Sequence, residues 1–101
     1  MYGSIYKTII YNELIARGYT VKTGTVYGKE IDFITTRNSD EKIYIQVAYE
    51  INEQNKEREF GNFKAIKDNY PKIVISKDKV LFSCNGIWHK NIIDFLLDSK
   101  N

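Results

Sequence analysis

A mixed α/β fold, one sheet with helices on its faces, is what this sequence predicts, and three features carry that prediction. Residues 3–19 place apolar side chains at helical spacing, and residues 29–50 hold two long apolar runs separated by a polar cluster. A second helical pattern then leads into the nearly all-apolar "KIVIS". At 101 residues this order makes one domain, residues 1–101, large enough for a single hydrophobic core.

Taken in order, "GSIYKTIIYNELIARGY" is the first helix. Ser4 is placed as its N-cap, since a hydroxyl there accepts from an unpaired amide of the first turn. Ile5, Ile9, Ile10 and Leu14 recur along one face, and Gly18 ends the helix. From Tyr19 the period becomes two, and Tyr19, Val21 and Thr23 predict a first strand with Gly24 as a bulge. A turn at Tyr27 and Gly28 leads to a second strand, "KEIDFITT". The cluster Arg37, Asn38, Ser39, Asp40 turns the chain into a third, "KIYIQVAYE", completing an antiparallel meander. Both later runs are apolar almost throughout, as expected of central strands covered on both faces.

"NEQNKEREFGNFKAIKDNYP" predicts a second helix, with Phe60, Phe63, Ile66 and Tyr70 on one stripe and Pro71 as its stop. "KIVIS", arriving after that helix, is expected to pair in parallel through a right-handed crossover. "VLFSCNGIWH" reads as a hairpin turning at Asn85-Gly86, and "NIIDFLLDS" as a short closing helix. The predicted order is α-β-β-β-α-β-β-β-α.

Composition narrows the function classes. Fifteen Lys and Arg against thirteen Asp and Glu leave a formal charge of +2, a weak basic excess for a dedicated nucleic-acid binder. Cys84 is the only cysteine, which excludes an intrachain disulfide and a cysteine-built zinc site and suits a reducing cytoplasm. No apolar run approaches the roughly 18 residues that span a bilayer, and no signal-peptide pattern opens the chain.

The chemistry concentrates in the second and third strands. Alternation puts Glu30, Asp32 and Ile34 on one face of one strand and Tyr44, Gln46, Ala48 and Glu50 on one face of the next. If these faces coincide, Asp32 and Gln46 stand side by side near the sheet centre, and Glu13, near the end of the first helix, projects over them. Oxygen donors so gathered could hold Mg²⁺ or Mn²⁺ for phosphodiester hydrolysis, with Asp32 and Glu13 anionic and Gln46 neutral. Ala48 stands where a lysine would orient the attacking water, a role that typically contributes about 10²- to 10⁴-fold.

The acid on the first helix, the aspartate of "EIDF" and the triplet "QVA" give the chain a pattern that resembles the PD-(D/E)XK, or restriction-endonuclease-like, nuclease superfamily, whose core order is αβββαβ. More narrowly, "YNELIARGY", "KEIDFI", "IYIQVAY", "EREFGNFKAIKDNYPKIVIS", "NGI" and "NIIDFLL" resemble the C-terminal domain of unknown function that follows the ATPase module in a group of prokaryotic AAA+ proteins. The resemblance runs over nearly the whole chain. It implies an upstream ATPase module in the same full-length protein, a cytoplasmic location and DNA as a possible partner. By position Glu13 matches the superfamily's helix acid, Asp32 its metal-binding aspartate and Gln46 the first residue of the triplet. Ala48 departs from the lysine, which implies a catalytically degenerate module acting in nucleic-acid or protein contact. Some members carry a residue displaced onto the neighbouring helix, where Lys64 and Lys67, and more distantly Arg58, are the candidates for an active Mg²⁺-dependent endonuclease.

Each of these residues also has a structural reading. Asp32 can accept backbone hydrogen bonds, Gln46 can make one ordinary strand bond, and Glu13, Lys64 and Lys67 can be solvated helix charges. His89, the only histidine, is read as structural rather than as a base for Cys84, and Cys84 as a small semi-buried hydrophobe. The eight tyrosines are spread over every element and read as packing rather than a stacking platform. A docking or dimerisation domain, pairing chains through a strand edge or apolar patch, is the remaining alternative.

Overall fold

The computed structural model describes residues 2–98 apart from residues 27, 39, 84 and 85. Its elements are α1 (Tyr2–Ala16), β1 (Thr20–Val26), β2 (Lys29–Arg37), β3 (Glu41–Val47), α2 (Lys56–Gly61), β4 (Lys72–Ser76), β5 (Ile87–Asn91) and α3 (Ile92–Leu97). The five strands form one mixed sheet in the order β1-β2-β3-β4-β5. β1, β2 and β3 are antiparallel neighbours, whereas β3–β4 and β4–β5 are parallel. The fold is therefore the mixed α/β sheet expected, and the β3–α2–β4 crossover is parallel as expected.

Helices cover both faces of the sheet, which explains why β2, β3 and β4 are apolar on both sides. Ile10, Leu14, Ile45, Val47, Ile73, Ile75, Ile92 and Phe95 form the core beneath α1 and α3. Ile31, Tyr44, Ala48, Phe60, Phe63, Ile66, Val74 and Ile87 form the core beneath α2.

The first helix departs from expectation at its start and on its face. Ser4 does not cap it, because the helix already runs from Tyr2, and the Ser4 carbonyl accepts from Thr8 Oγ1 at 3.1 Å. The stripe that packs is Tyr6, Ile10 and Leu14, at four-residue spacing, while Ile5 (55% exposed) and Ile9 (37%) turn outward. Its end is as expected. Gly18 has φ 90°, its amide donates to Ile15 O and that of Tyr19 to Leu14 O, the two-bond motif that only a residue tolerant of positive φ allows cheaply.

The second helix is shorter than its sequence pattern. α2 stops at Gly61, and the chain continues through i→i−3 bonds, Phe63 N to Phe60 O, Lys64 N to Gly61 O and Ile66 N to Phe63 O. The reason is legible in the spacing. Phe60, Phe63 and Ile66 recur every three residues, which suits three residues per turn better than 3.6. Tyr70, expected on the same stripe, is 39% exposed.

The expected hairpin after β4 does not form. Among the described residues 77–83 hold no strand, and β5 pairs with β4 in parallel. The order has one strand fewer than predicted because the Phe82 amide donates to His89 Nδ1 (2.9 Å) instead of joining a ladder. The Asn85 turn itself and Cys84 lie outside the described residues, as does Tyr27. Asn91 caps α3, its Oδ1 accepting from the amides of Ile93 and Asp94.

Candidate functional site

Asp32 sits where two irregularities of the sheet meet. Between the pairs Lys22↔Ile34 and Gly24↔Ile31, β2 sets two residues, Asp32 and Phe33, against the single Thr23 of β1, so a bulge falls on β2 next to Gly24, where the irregularity was expected. The bulge breaks the alternation. Ile31 and Ile34 both pack under α2 while Phe33 packs under α1, so Glu30, Asp32 and Ile34 do not share one face. On the other side, the β2–β3 ladder runs from Arg37↔Glu41 to Phe33↔Ile45 and stops one residue short of Asp32 and Gln46.

Side chains bridge that last step. The Asp32 amide donates to Gln46 Oε1 at 2.6 Å, and Asp32 Oδ2 accepts from the Val47 amide at 2.8 Å. The remaining oxygen, Oδ1, is met by the ammonium of Lys7 on α1 at 3.3 Å. Asp32 and Gln46 are thus neighbours, as expected, but not on a common polar face. Asp32 reaches toward α1, whereas Gln46 alternates with Ile45 and Val47 and so shares the side of Tyr44 and Ala48. Gln46 is 4% exposed, and Ala48 is buried in the α2-side core.

Glu13 does not join this pair. Its carboxylate accepts from Arg17 Nε at 2.7 Å, and Arg17 in turn donates to Phe95 O at 2.7 Å and covers the Phe95 ring, tying α1 to α3. Lys7 lies six residues earlier, about 9 Å along the helix at ~1.5 Å per residue. Lys64 pairs with Glu57 at 3.8 Å with both ends solvated, Arg58 pairs with Glu59 at 3.2 Å, and Lys67 is exposed. Among the described residues none of these three bonds Asp32 or Gln46. Glu30 and Glu50 are exposed, as expected, and Glu50 pairs with Lys77 at 3.6 Å.

As donors for a divalent cation these residues do not fit. Both Asp32 oxygens and the Gln46 oxygen already accept from groups of the chain, and one of those groups is itself cationic. Among the described residues no set of three acids, histidines or cysteines converges as a metal site would require. Lys7 is the participant that strand-based reading misses. Its only sequence signal is that it is the sole basic residue of the first fifteen, one position from the partly buried Tyr6.

A second polar group lies at the end of β4. Phe82 N–H donates to His89 Nδ1, so the proton of the neutral ring is on Nε2, which donates to Ser76 Oγ at 2.7 Å. Ser76 donates to Asp78 Oδ2 at 2.6 Å, which also accepts from the Ile51 amide at 2.7 Å. Ser76 is fully buried, and the direction of the bonds runs from histidine to serine to aspartate, the reverse of a nucleophile being deprotonated. Burial lowers the His89 pKa, opposed by the charge of Asp78. The trio is a structural staple, in line with the structural reading of His89.

No family model matches the chain, and no solved structure matches it. Two relatives share its sequence. An uncharacterized protein of Haemophilus influenzae is 42% identical over 97 residues, which are 95% of this chain and 24% of the relative. An uncharacterized protein of Methanocaldococcus jannaschii is 41% identical over 71 residues, which are 65% of this chain and 16% of the relative. The chain thus spans about a quarter or less of the length of the curated relatives it matches. Among the described residues, no helix is long and apolar enough to cross a membrane.

Proposed function

We propose that this chain is a nuclease-fold module that does not cut, carried in the cytoplasm as the C-terminal part of an ATPase-bearing protein and working by contact with a partner. The observation that carries this reading is the use of the three oxygens of Asp32 and Gln46, two of the three expected ligand residues. Two accept backbone amides across the β2–β3 gap and the third an ammonium, so the residues that would hold a metal serve instead to hold two strands together. The α-β-β-β-α-β order and mixed sheet support the nuclease-like ancestry, and the far greater length of the relatives supports a module within a larger protein. The purified chain, incubated with Mg²⁺ or Mn²⁺ and single- or double-stranded DNA and RNA, is expected to leave every substrate intact. Cleavage that disappears in Asp32→Ala would overturn the reading.

One observation favours an active Mg²⁺-dependent endonuclease instead: Lys7 brings an ammonium to 3.3 Å from Asp32, a displaced lysine on α1 rather than α2. In that case cleavage would be lost in Lys7→Ala as well. A docking or homodimer role draws on Ile5, Ile9, Tyr11 and Ile15, the exposed apolar residues of α1, and light scattering of the purified chain tests it.

A further inference from the structure

We propose that α1 is the interface of a two-fold dimer, pairing antiparallel with α1 of a second copy of this chain about a dyad at the level of Ile10. Such pairing rests on the reading of the chain as a contact module and gives that module its partner. The two fail separately. Cleavage of nucleic acid sinks the contact module at any oligomeric state, whereas a chain that stays monomeric sinks only the dimer.

The outward face of α1 carries no charge. Lys7 and Glu13 are the only charged residues of this 15-residue helix, in a chain of which 28% of the residues are charged. Both are held on its flanks by their own chain, Lys7 by Asp32 at 3.3 Å and Glu13 by Arg17 at 2.7 Å. What stands in water is Ile5, Ile9, Tyr11 and Ile15, with the neutral Thr8 and Asn12 among them. A helix on the surface of a monomer turns charged groups to solvent, so this face is built to be covered. An acidic or basic partner would find no counter-charge on it. A membrane-surface helix keeps lysines and arginines free for lipid headgroups, and the single basic residue of α1 is turned to Asp32.

The same face is self-complementary, which an isologous interface requires. Ile5 and Ile15 lie equally far from Ile10 along the helix, and so do Thr8 and Asn12. Antiparallel pairing about Ile10 therefore sets Ile5 against the partner's Ile15 at both ends of the contact, and Thr8 against the partner's Asn12 nearer the middle. Thr8 spends its hydroxyl proton on Ser4 O at 3.1 Å, which leaves its oxygen to accept from the partner's Asn12 Nδ2. Asn12 makes no hydrogen bond within its own chain among the described residues. Ile9 and Tyr11, on the two flanks of the face, each meet their own symmetry mate. A second copy thus offers apolar groups to the apolar ones and an amide to the hydroxyl.

Extent sets the strength. A 15-residue helix is about 22 Å long and roughly 10 Å across. Two such faces cover less than the ~800 Å² per partner of a standard interface. Ile93 and Leu97, exposed on α3, widen the apolar surface beside α1, where Arg17 ties the two helices together. The dimer belongs at the weak end of the range, with a Kd on the order of 10 µM.

The 101-residue chain is followed by sedimentation velocity from about 1 µM to about 500 µM. A monomer–dimer equilibrium that stops at two copies is expected, and ~1 M salt should not weaken it, because no charge pair holds it. Ile5→Glu and Ile15→Lys should each weaken dimerisation about tenfold or more. Their combination sets a carboxylate against an ammonium at both ends of an antiparallel pair. The double variant should therefore dimerise more tightly than either single one, the opposite of additive losses. Val80→Glu, at an exposed apolar residue after β4, should change nothing. Ile5, Ile15 and Val80 all stand in water in the monomer, so the variants keep the fold, as circular dichroism checks. The dimer is refuted if the chain stays monomeric at about 500 µM, whether or not anionic phospholipid vesicles bind it. It is refuted equally if association runs on past two copies, if salt dissociates the pair, if the single variants behave like Val80→Glu, or if the double variant is no tighter than either single one.

Discussion

Asp32 and Gln46 exchange hydrogen bonds with each other's strand, the Asp32 amide donating to Gln46 Oε1 at 2.6 Å and Asp32 Oδ2 accepting from the Val47 amide at 2.8 Å. Two side chains thus extend a backbone ladder that ends at Phe33 and Ile45, across a step where the bulge in β2 has pulled the strands out of register. The exchange satisfies the two amides left by that step.

Gln46→Ala removes the acceptor of the Asp32 amide in a buried place, and the expected cost is about 1–3 kcal/mol in urea unfolding. Lys7→Ala removes only a partly solvated ion pair, with the lysine side chain 47% exposed, and should cost less than about 1 kcal/mol. Equal losses in the two variants would mean that the ammonium, and not the amide bond, holds Asp32.

Restoring the nuclease triplet should harm the fold rather than revive a site. Ala48 is 7% exposed against the core beneath α2, so Ala48→Lys must overpack that core or drag an ammonium into it. A loss of about 1–3 kcal/mol is expected, with no cleavage even when Gln46→Glu is added. A variant as stable as the parent would show that this position opens to solvent.

His89 predicts a pH dependence with a definite sign. Both ring nitrogens are engaged in the neutral form, and burial holds the pKa below its ordinary value despite Asp78. The unfolded chain therefore takes up the proton first. The contribution of His89 is fully present above the unfolded value near ~6.5 and declines as pH falls from there toward the folded pKa. Urea midpoints between about pH 8 and pH 5 should fall on the acid side, and His89→Gln should flatten that slope.

Asp68 acts at lower pH. Burial pushes its carboxyl up, but the Tyr44 hydroxyl, the Lys72 ammonium and the Tyr70 amide together hold it below the usual value. Its contribution is present above the unfolded carboxylate pKa, near ~3.9, and is lost as pH falls through the folded one. Asp68→Asn leaves the Lys72 ammonium, 10% exposed, without its counter-charge, at an expected cost of about 1–3 kcal/mol at neutral pH. The acid limb of the stability curve should become shallower in that variant.

The sequence by itself determined the elements whose physics is local. Gly18 ended α1, "KIVIS" formed a strand buried on both faces, and the polar cluster from Arg37 to Asp40 turned β2 into β3, because positive φ, apolar runs and turn residues act over a few positions. It also singled out Asp32 and Gln46 as neighbours. The tertiary structure alone decided what those two do. A bulge in β2, beside the Gly24 that marked this place in the sequence, turned Asp32 toward Lys7 and left Gln46 on the other side, and Arg17 drew Glu13 away toward α3. It likewise chose parallel pairing for β5, since the Phe82 amide found its acceptor on His89. Register and long-range partners depend on which distant groups compete for the same hydrogen bond, and that competition is settled only when the strands lie side by side.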